Sequence, residues 1–419
     1  MPSYIKNKTE ELMRKRILCT VLAASMALAA CGSPASTQTT AVSGTEEASS
    51  TESETRTTGE QENQDTTEAE TEASGEPYKI GIVTPTLTVS EDEFRGAQEM
   101  VQRYPDLVVH KTLPENFATD KEGCISVVTS LADDPEMKYI LFNNGMEGIV
   151  PAFQTIREKR PDIVTMVTSN DDPKLLNDYA DISINTDWIR RGETIPTKAH
   201  DMGAKTFIHY SFPTHMAAES KSKRRDVMKE TCEKLGMTWV EETTPDPQTG
   251  NGTAAMLQFL REDIPRKIEQ YGPDTNIFGT NCPMYDVILD EAFKEKFIVA
   301  EQCCPTPTQA YPTVLNLEIT EEDLGDYSKI NNLIAEKARE AGMSGRLSGW
   351  AMPSSVYIPQ LQVELAKYMH DNNLSPEDVL DREFLNQFTS EHMPVAADFQ
   401  VAGEGLEHYY MLLLEDIYY

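Results

Sequence analysis

Residues 181–213 decide the fold, and they read DISINTDWIRRGETIPTKAHDMGAKTFIHYSFP. The pattern predicts an apolar strand that ends at Asp187, a helix over 188–202 that Gly203 stops, and a second strand over 206–210. Strand, helix and strand form a βαβ unit, and we expect this unit to lead the chain from one lobe into another. The gap between two such lobes is the natural position for a ligand.

The chain before this unit alternates strands with helices. Thr119 and Glu122 have the spacing of a capping box and predict the start of one of the helices. Strict β-α alternation implies a parallel sheet with right-handed crossovers, so we expect residues 78–205 to form the first lobe. Four apolar runs predict its buried strands: 79–83, 107–109, 139–142 and 163–167.

The alternation continues after this unit, and we expect residues 206–318 to form a second α/β lobe. An apolar run over 297–300 predicts the last strand of that lobe. Residues 319–419 contain further helical and strand-like segments, and we expect them to recross between the lobes. The sequence does not place this crossing.

Residues 1–30 have the pattern of a targeting sequence. Basic residues precede an apolar run over 17–30, which at 14 residues is too short to span a bilayer as a mature helix. The run ends Leu28-Ala29-Ala30-Cys31-Gly32 and resembles a bacterial lipobox. We therefore expect a signal peptide over 1–30 and lipidation of Cys31 (palmitate), which would anchor the protein on the extracytoplasmic face of the cell membrane. An uncleaved membrane anchor, or an ordinary signal peptide with an incidental cysteine, is the alternative.

An acidic, polar segment follows up to residue 77. It contains 11 acidic residues and one basic residue, Arg56, with almost no large apolar side chains. Such a composition cannot bury enough surface to offset its ordering entropy. We expect residues 31–77 to combine the lipid-anchor cysteine with a disordered tether.

Charge and cysteine content restrict the possible partners. The net charge is −32 for the whole chain and about −25 for residues 78–419, which disfavours nucleic acid as a partner. Five cysteines remain beyond Cys31, and their odd number does not predict a disulfide framework. Cys282 with the pair Cys303-Cys304 raises the question of a metal. We expect no metal, because neither a CxxC nor an HExxH motif is present.

Several stretches carry a resemblance to a known family: 79–85, the spacing of Asp187, Gly192, Ala199 and Gly203, Arg224 twelve residues before Gly236, and 276–283. They are similar to the type I periplasmic-binding-protein fold of sugar-binding lipoproteins, which the ligand cores of one repressor family share. The resemblance implies two doubly wound parallel-sheet α/β lobes joined by a hinge, in an uncharacterised family of that fold. The chain departs from the family pattern at Pro196, at Val227-Met228 and at Cys282, where aspartate is usual.

Candidate ligand contacts are polar or aromatic side chains near the predicted strand ends and the crossover. Arg224 stands out because it belongs to a basic cluster in the first half of a helix, where the helix dipole disfavours cations. For each of the others the alternative is ordinary turn, cap or core chemistry. The full predicted set is Thr84, Thr86, Asn143, Asn144, Thr168, Ser169, Asn170, Asp187, Trp188, Tyr210, Phe212, Arg224, Asn281 and Trp350.

The resemblance implies a solute-binding lipoprotein that closes on a small polar ligand, sugar- or nucleoside-like, and delivers it to an ABC importer. A receptor that serves a sensor kinase is the second interpretation, and a surface enzyme that uses the cleft is the third. No Gly-rich phosphate loop, nucleophile elbow or Cys/His nucleophile pattern occurs in the sequence. We therefore expect a binding protein without a cofactor rather than an enzyme.

Overall fold

The computed structural model of the protein describes residues 77–146, 148–169 and 178–419. The predicted signal peptide, Cys31, the tether up to residue 76 and Asn170 lie outside the described residues. No helix within the described ranges combines the length and the apolar character that a membrane crossing requires.

The described residues form alternating strands and helices. The strands are β1 (Lys79–Thr84), β2 (Val108–Thr112), β3 (Met137–Gly145), β4 (Val164–Ser169), β5 (Ile182–Thr186), β6 (Thr206–Ser211), β7 (Thr238–Thr243), β8 (Thr275–Gly279), β9 (Ser348–Trp350), β10 (Ala397–Val401), β11 (Tyr409–Leu414) and β12 (Asp416–Tyr418). The helices are α1 (Glu91–Arg103), α2 (Lys121–Thr129), α3 (Val150–Lys159), α4 (Arg191–Asp201), α5 (Pro213–Ala217), α6 (Glu219–Lys234), α7 (Gly252–Tyr271), α8 (Tyr285–Glu295), α9 (Tyr311–Val314), α10 (Tyr327–Glu340), α11 (Ser354–Asp371), α12 (Pro376–Val379) and α13 (Arg382–His392).

The first lobe is built on a seven-stranded sheet in the order β10-β11-β5-β4-β3-β1-β2. Its strands are parallel except for β10, which pairs with β11 in the antiparallel direction. One face packs against α1, α11 and α13, and the other face packs against α2 and α3. The sheet is therefore buried on both faces, which explains the apolar runs over 80–83 in β1 and 139–142 in β3.

The second lobe is built on β7, β6 and β8, which are parallel. Two isolated parallel bridges, Asn276 to Ile298 and Val299 to Leu347, continue the sheet beyond β8. The strand predicted over 297–300 is thus present only as single bridges. The core of this lobe also includes Ile330, Ile334 and Ala338 of α10, so the lobe extends past residue 318, the boundary expected from the sequence.

Three segments connect the lobes. The first runs from β5 into α4, whose Ile195 and Ala199 belong to the core of the second lobe. The second runs from β9 into α11, which packs on the first-lobe sheet. The third runs from β11 into β12, which pairs antiparallel with β9. The expected fold class is confirmed: two parallel-sheet α/β lobes are joined by a hinge of adjacent crossing segments.

The crossover helix α4 begins later than the sequence predicted. Asp187 accepts a hydrogen bond from the Arg190 backbone nitrogen at 2.9 Å, so residues 188–190 form a turn and the helix starts at Arg191. Pro196 lies inside α4 and does not end it. The departure from the family pattern at that position therefore leaves the crossover helix in place.

Candidate functional site

A cleft between the lobes contains two cavities of about 550 and about 440 Å3 that share Trp188 and Cys304 in their walls. The larger cavity is lined on the first-lobe side by residues 89–93 at the start of α1. The smaller one is lined from both lobes, and its polar lining residues are Asn185, Ser220, Lys221, Arg224, Thr280, Cys303, Cys304 and Tyr409. Both volumes lie in the range typical of small-molecule sites.

Arg224 is the unusual charge in the smaller cavity. It is 5% exposed, and its guanidinium lies 5.3 Å from the centroid of the Phe278 ring. Among the described residues it has neither an ion-pair nor a hydrogen-bond partner. Burial first, and the positive charge of Arg191 second, lower the pKa of Arg224 to about 10. A buried, charged and unpaired guanidinium is costly unless an anion or another acceptor comes to it.

The neighbouring basic residues of α6 differ from Arg224. Lys223 pairs with Glu219 at 2.6 Å, and Arg225 pairs with Glu241 at 2.6 Å on the outside of the lobe. Lys221, one turn before Arg224, lines the same cavity. The helix thus presents two cations, Lys221 and Arg224, to the cleft, whereas Lys223 and Arg225 are held in surface pairs.

A buried ion-pair network holds the hinge beside this cavity. Arg191 donates from Nε to Glu301 at 2.6 Å and from its other two nitrogens to the carbonyl oxygens of Cys303 and Gln302, at 2.7 and 2.6 Å. Burial alone would raise the pKa of Glu301, but the charges of Lys198 and Arg191 outweigh burial and lower it. Glu301 therefore stays ionised, and the three bonds from Arg191 hold the 301–303 loop in place.

Trp188 lies where the hinge meets both cavities. Its ring centroid is 5.0 Å from the Arg191 guanidinium carbon, and the Trp350 ring is 5.4 Å from the same carbon. A cation held over the faces of two indoles is a stabilising arrangement in a desolvated site. Trp350 itself is 2% exposed and lines neither cavity, so it packs the hinge.

Three thiols meet in the wall of the cleft. Cys282 Sγ lies 3.2 Å from Cys303 Sγ and 3.3 Å from Cys304 Sγ, and the last two are 3.8 Å apart. Cys303 is buried, Cys282 is half-buried and Cys304 is exposed. Hydrogen bonds from Cys282 and Cys303 hold the pKa of Cys304 well below its usual range, with smaller contributions from the charges of Arg191 and Arg224. This arrangement can hold a thiophilic metal, although the sequence predicted no metal site.

Other predicted residues meet at the carboxyl ends of two paired strands. Asn143 of β3 is in register with Thr168 of β4, and Gly145 is in register with Ser169. The Asn144 backbone nitrogen donates to the Thr168 hydroxyl at 3.0 Å. Asn143 is buried, and its side-chain amide has no hydrogen-bond partner among the described residues. Asn143, Asn144 and Thr168 line neither of the two cavities.

Four further predicted contacts, Thr84, Thr86, Asp187 and Asn281, line neither cavity. The Thr84 hydroxyl donates to the Pro85 carbonyl oxygen at 2.8 Å, and Thr86 Oγ1 lies 3.1 Å from Thr88 Oγ1. Asp187 caps the turn before α4. Asn281 immediately precedes a short 3-10 turn and lines neither cavity.

Two predicted aromatic contacts belong to the second lobe rather than to the cleft. Tyr210 is fully buried, and its hydroxyl donates to Asp263 at 2.9 Å. Phe212 stacks on His215 with ring centroids 4.0 Å apart. Neither side chain lines the cavities. Tyr210 lies in β6, the central strand of its sheet, whose six residues are all buried, and Phe212, directly after that strand, is buried as well.

Several cavity residues were not predicted from the sequence. Thr280 directly precedes the predicted Asn281, and Asn185 lies two residues before the predicted Asp187. Both are polar residues near predicted strand ends, so the same criterion could have included them. Tyr409 lies at the start of β11. Its hydroxyl accepts a hydrogen bond from the Asn185 amide at 3.2 Å. It had no sequence signal, because it enters the site only through a crossing that the sequence did not place.

The fold and the cleft define a two-lobed α/β protein of the periplasmic-binding-protein-like class. Residues 78–348, more than half of the chain, match the family described as "Protein of unknown function (DUF3798)". The chain belongs to that family.

The chain is also similar to individual proteins and solved structures. An uncharacterised protein of Treponema pallidum (strain Nichols) is 33% identical over 180 residues, which is 41% of this chain and 81% of that protein. A crystal structure from Clostridium difficile 630, described as that of a proposed transcriptional regulator, is 35% identical with a TM-score of 0.79 and covers 82% of this chain and 99% of that chain. A sugar ABC transport substrate-binding protein from Bordetella parapertussis 12822 is 12% identical with a TM-score of 0.43, covering 82% of this chain and 89% of that chain.

Proposed function

We propose that this protein is an extracytoplasmic solute-binding protein whose lobes close on a small polar ligand that carries an anionic group. The observation that carries the proposal is Arg224, a buried guanidinium that faces the cleft without a partner among the described residues. A phosphate or carboxylate would supply the charge-assisted hydrogen bonds that Arg224 lacks. The sequence predicted a sugar- or nucleoside-like ligand, and the anionic group restricts this class to its charged members.

The rest of the smaller cavity supports a hydroxylated ligand of this kind. Lys221 adds a second positive charge on the second-lobe side. Asn185 and Tyr409 provide an amide and a hydroxyl on the first-lobe side, opposite Thr280. Trp188 offers a flat apolar wall for a sugar or base ring. Because a ligand touches both sides only when the lobes are together, binding would favour the closed form.

The N-terminal sequence supports a location for this activity. A signal peptide over 1–30 and a lipidated Cys31 would anchor the protein on the outer face of the cell membrane, with residues 31–77 as tether. An ABC permease is then the natural partner for delivery of the ligand. A sensor kinase would use the same cleft and remains the alternative partner.

A role in transcription, as in the description of the Clostridium difficile protein, is less compatible with the charge of this chain. A net charge of −32 repels the phosphate backbone of DNA. A ligand-binding role without chemistry on the ligand fits the cleft better than catalysis, because the charged groups of the hinge are already engaged with one another.

A thermal-shift screen tests the proposal. The purified protein is heated with sugar phosphates, sugar acids and nucleoside monophosphates, and with the matching neutral sugars and nucleosides. We expect saturable stabilisation by one anionic compound and little effect of its neutral counterpart. Arg224→Ala should abolish that shift. Arg225→Ala is the matched control, because this neighbouring residue pairs with Glu241 on the surface.

Two results would contradict the proposal. If neutral compounds stabilise the protein and Arg224→Ala does not change that stabilisation, the ligand either binds away from Arg224 or carries no anionic group. Conversion of the stabilising compound to a product by the purified protein would make the cleft an active site instead of a carrier site.

A further inference from the structure

We propose that Cys282, Cys303 and Cys304 form a binding site for one thiophilic d10 metal ion, Zn2+ or Cu+. The three sulfur atoms lie within 4.8 Å of one another, and they are the cluster of possible metal ligands found among the described residues. The proposal departs from the expectation of no metal, because the thiols come from two loops that only the fold brings together. Thiolate ligands select these soft ions over Mg2+ or Ca2+.

The spacing of the sulfur atoms fits a single ion. A Zn–S bond is about 2.3 Å, so two sulfurs of a tetrahedral zinc are about 3.8 Å apart. Cys303 and Cys304 already have that separation, 3.8 Å. Cys282 lies at 3.2 and 3.3 Å from them and needs to withdraw by only about half an ångström to reach it. A small rotation of this half-buried side chain suffices.

The surroundings fix the ligands and balance their charge. Arg191 binds the carbonyl oxygens of Gln302 and Cys303 at 2.6 and 2.7 Å, which holds the loop that carries two of the thiols. Supporting contacts of this kind orient metal ligands and strengthen binding. Three thiolates around a divalent ion leave one net negative charge. Arg191 and Arg224 are close enough to act electrostatically on Cys304, so they would offset it.

The fourth coordination position faces the cleft. Cys282 and Cys304 line the larger cavity, and Cys303 and Cys304 line the smaller one. Gln309 also lines the larger cavity, and its buried side-chain oxygen has no hydrogen-bond partner among the described residues. Three protein ligands with a fourth position open to a cavity are typical of a metal that exchanges an outside ligand. A bound ion would therefore be accessible from the ligand cleft.

Metal titration of the full chain tests the site. The protein carries Cys19→Ala and Cys31→Ala, is reduced and freed of metal, and is titrated separately with Zn2+, with Cu+ and with Mg2+. We expect one equivalent of Zn2+ or Cu+ to bind and Mg2+ not to bind. Cys282→Ala, Cys303→Ala and Cys304→Ala should each lower the affinity at least about 100-fold, the upper end of what loss of a merely supporting residue costs. Cys124→Ala and Cys232→Ala, in the two lobe cores, are the controls and should leave it unchanged.

A second measurement uses the protein with all three cluster cysteines in place, so its result does not depend on whether the cysteine variants fold. Cys304 is exposed, so a bound ion should slow its alkylation by iodoacetamide at least about tenfold, since the free thiolate is the reactive form. Cys282→Ala, at a residue that does not line the smaller cavity, should lose metal binding and keep the thermal shift by the stabilising anion, which separates this site from the proposed solute function. The proposal is overturned if neither ion binds to the reduced protein, if the controls weaken binding as much as the cluster variants do, or if the isolated protein contains a disulfide from Cys282 to Cys303 or Cys304.

Discussion

At the scale of single residues, Arg224 is the side chain on which the interpretation of the cleft rests. Its charge lies in a desolvated position without an acid beside it in the described chain, although surface acids are plentiful in a protein of net charge −32. Such a group lowers the stability of the ligand-free protein and raises its affinity for an anion. Functional sites often have this trade-off between stability and activity.

Replacement of Arg224 by methionine tests that trade-off. Arg224→Met removes the charge but keeps an apolar chain against Phe278, so the ligand-free protein should gain about 1–3 kcal/mol in its free energy of unfolding. Urea denaturation without ligand measures this change, with Arg225→Met as the surface control. A loss of stability of similar size would mean that the guanidinium already has a compensating partner.

Tyr210 provides the opposite test, because the structure moves it from the predicted site into the core. Tyr210→Phe removes a hydrogen bond to the Asp263 carboxylate and should cost about 1.5–3 kcal/mol of stability. The affinity for the stabilising anion should stay within twofold of the unsubstituted protein. If Tyr210→Phe lowers the affinity for the anion without lowering stability, Tyr210 contacts the ligand after all.

At the scale of elements, the position of Arg224 depends on how closely α4 and α6 approach each other. A Cβ atom on Gly192 would lie 2.6 Å from the Arg224 carbonyl oxygen and 2.8 Å from the Val227 Cβ. Only glycine is therefore small enough for this contact between α4 and α6. The crossover helix and the helix that carries Arg224 form one packed pair.

Gly192→Ala should force α4 and α6 apart and destabilise the protein by about 1–3 kcal/mol, because backbone cannot yield as a side chain does. Thermal unfolding measures the effect, and we also expect weaker binding of the stabilising anion. Gly403→Ala is the matched control, since a Cβ there meets no atom within 4 Å. Equal stabilities of the two variants would show that the helices are free to separate.

The sequence predicted element order better than element ends. The alternation of apolar runs placed β1, β3, β4 and β6 because these strands are buried on both faces. Cap positions were less certain: Asp120, rather than the predicted Thr119, caps α2 by accepting from the Gly123 nitrogen at 2.9 Å. Two adjacent residues that can both cap a helix are distinguished only by the backbone path.

At the scale of the whole molecule, the buried network of Arg191, Lys198, Glu301 and Asp416 joins the lobes. Arg191 and Lys198 of α4 both pair with Glu301 of the 301–303 loop, and Lys198 also pairs with Asp416 of β12, so Lys198 links two of the crossing segments. Removing one member of a buried network leaves the others without a counter-charge. The hinge should therefore be sensitive to the charge of Glu301.

Glu301→Gln should cost about 3–5 kcal/mol at neutral pH, whereas Glu241→Gln, in a surface pair with Arg225, should cost no more than about 1 kcal/mol. Because the folded state lowers the pKa of Glu301, its stabilising contribution is complete above the ordinary pKa of 4.5 and declines as the pH falls below that value. Denaturation between pH 7 and pH 3 should show the gap between the unsubstituted protein and Glu301→Gln narrowing. A gap that is constant across this range would show that folding does not lower the pKa of Glu301, and a gap that widens toward low pH would show that this carboxyl is protonated in the folded protein.

The candidate site was less predictable than the fold. Arg224 and Trp188 could be chosen from the sequence because a cation in the first half of a helix and an aromatic at a crossover are locally unusual. Tyr409 could not, because it reaches the cleft through a crossing that leaves no local pattern. The three cysteines were noted in the sequence, but without a CxxC motif nothing there indicated that Cys282 meets the Cys303-Cys304 pair. Polar residues at strand ends, such as Asn144 and Thr168, satisfy each other instead.

A crystal structure of the protein with the anionic compound that stabilises it most tests the central claim most directly. The account predicts that the anionic group lies within hydrogen-bond distance of the Arg224 guanidinium, and that the same molecule touches Asn185 or Tyr409 on the other lobe. A ligand bound outside the cleft, or bound in the cleft with its neutral end on Arg224, would contradict it.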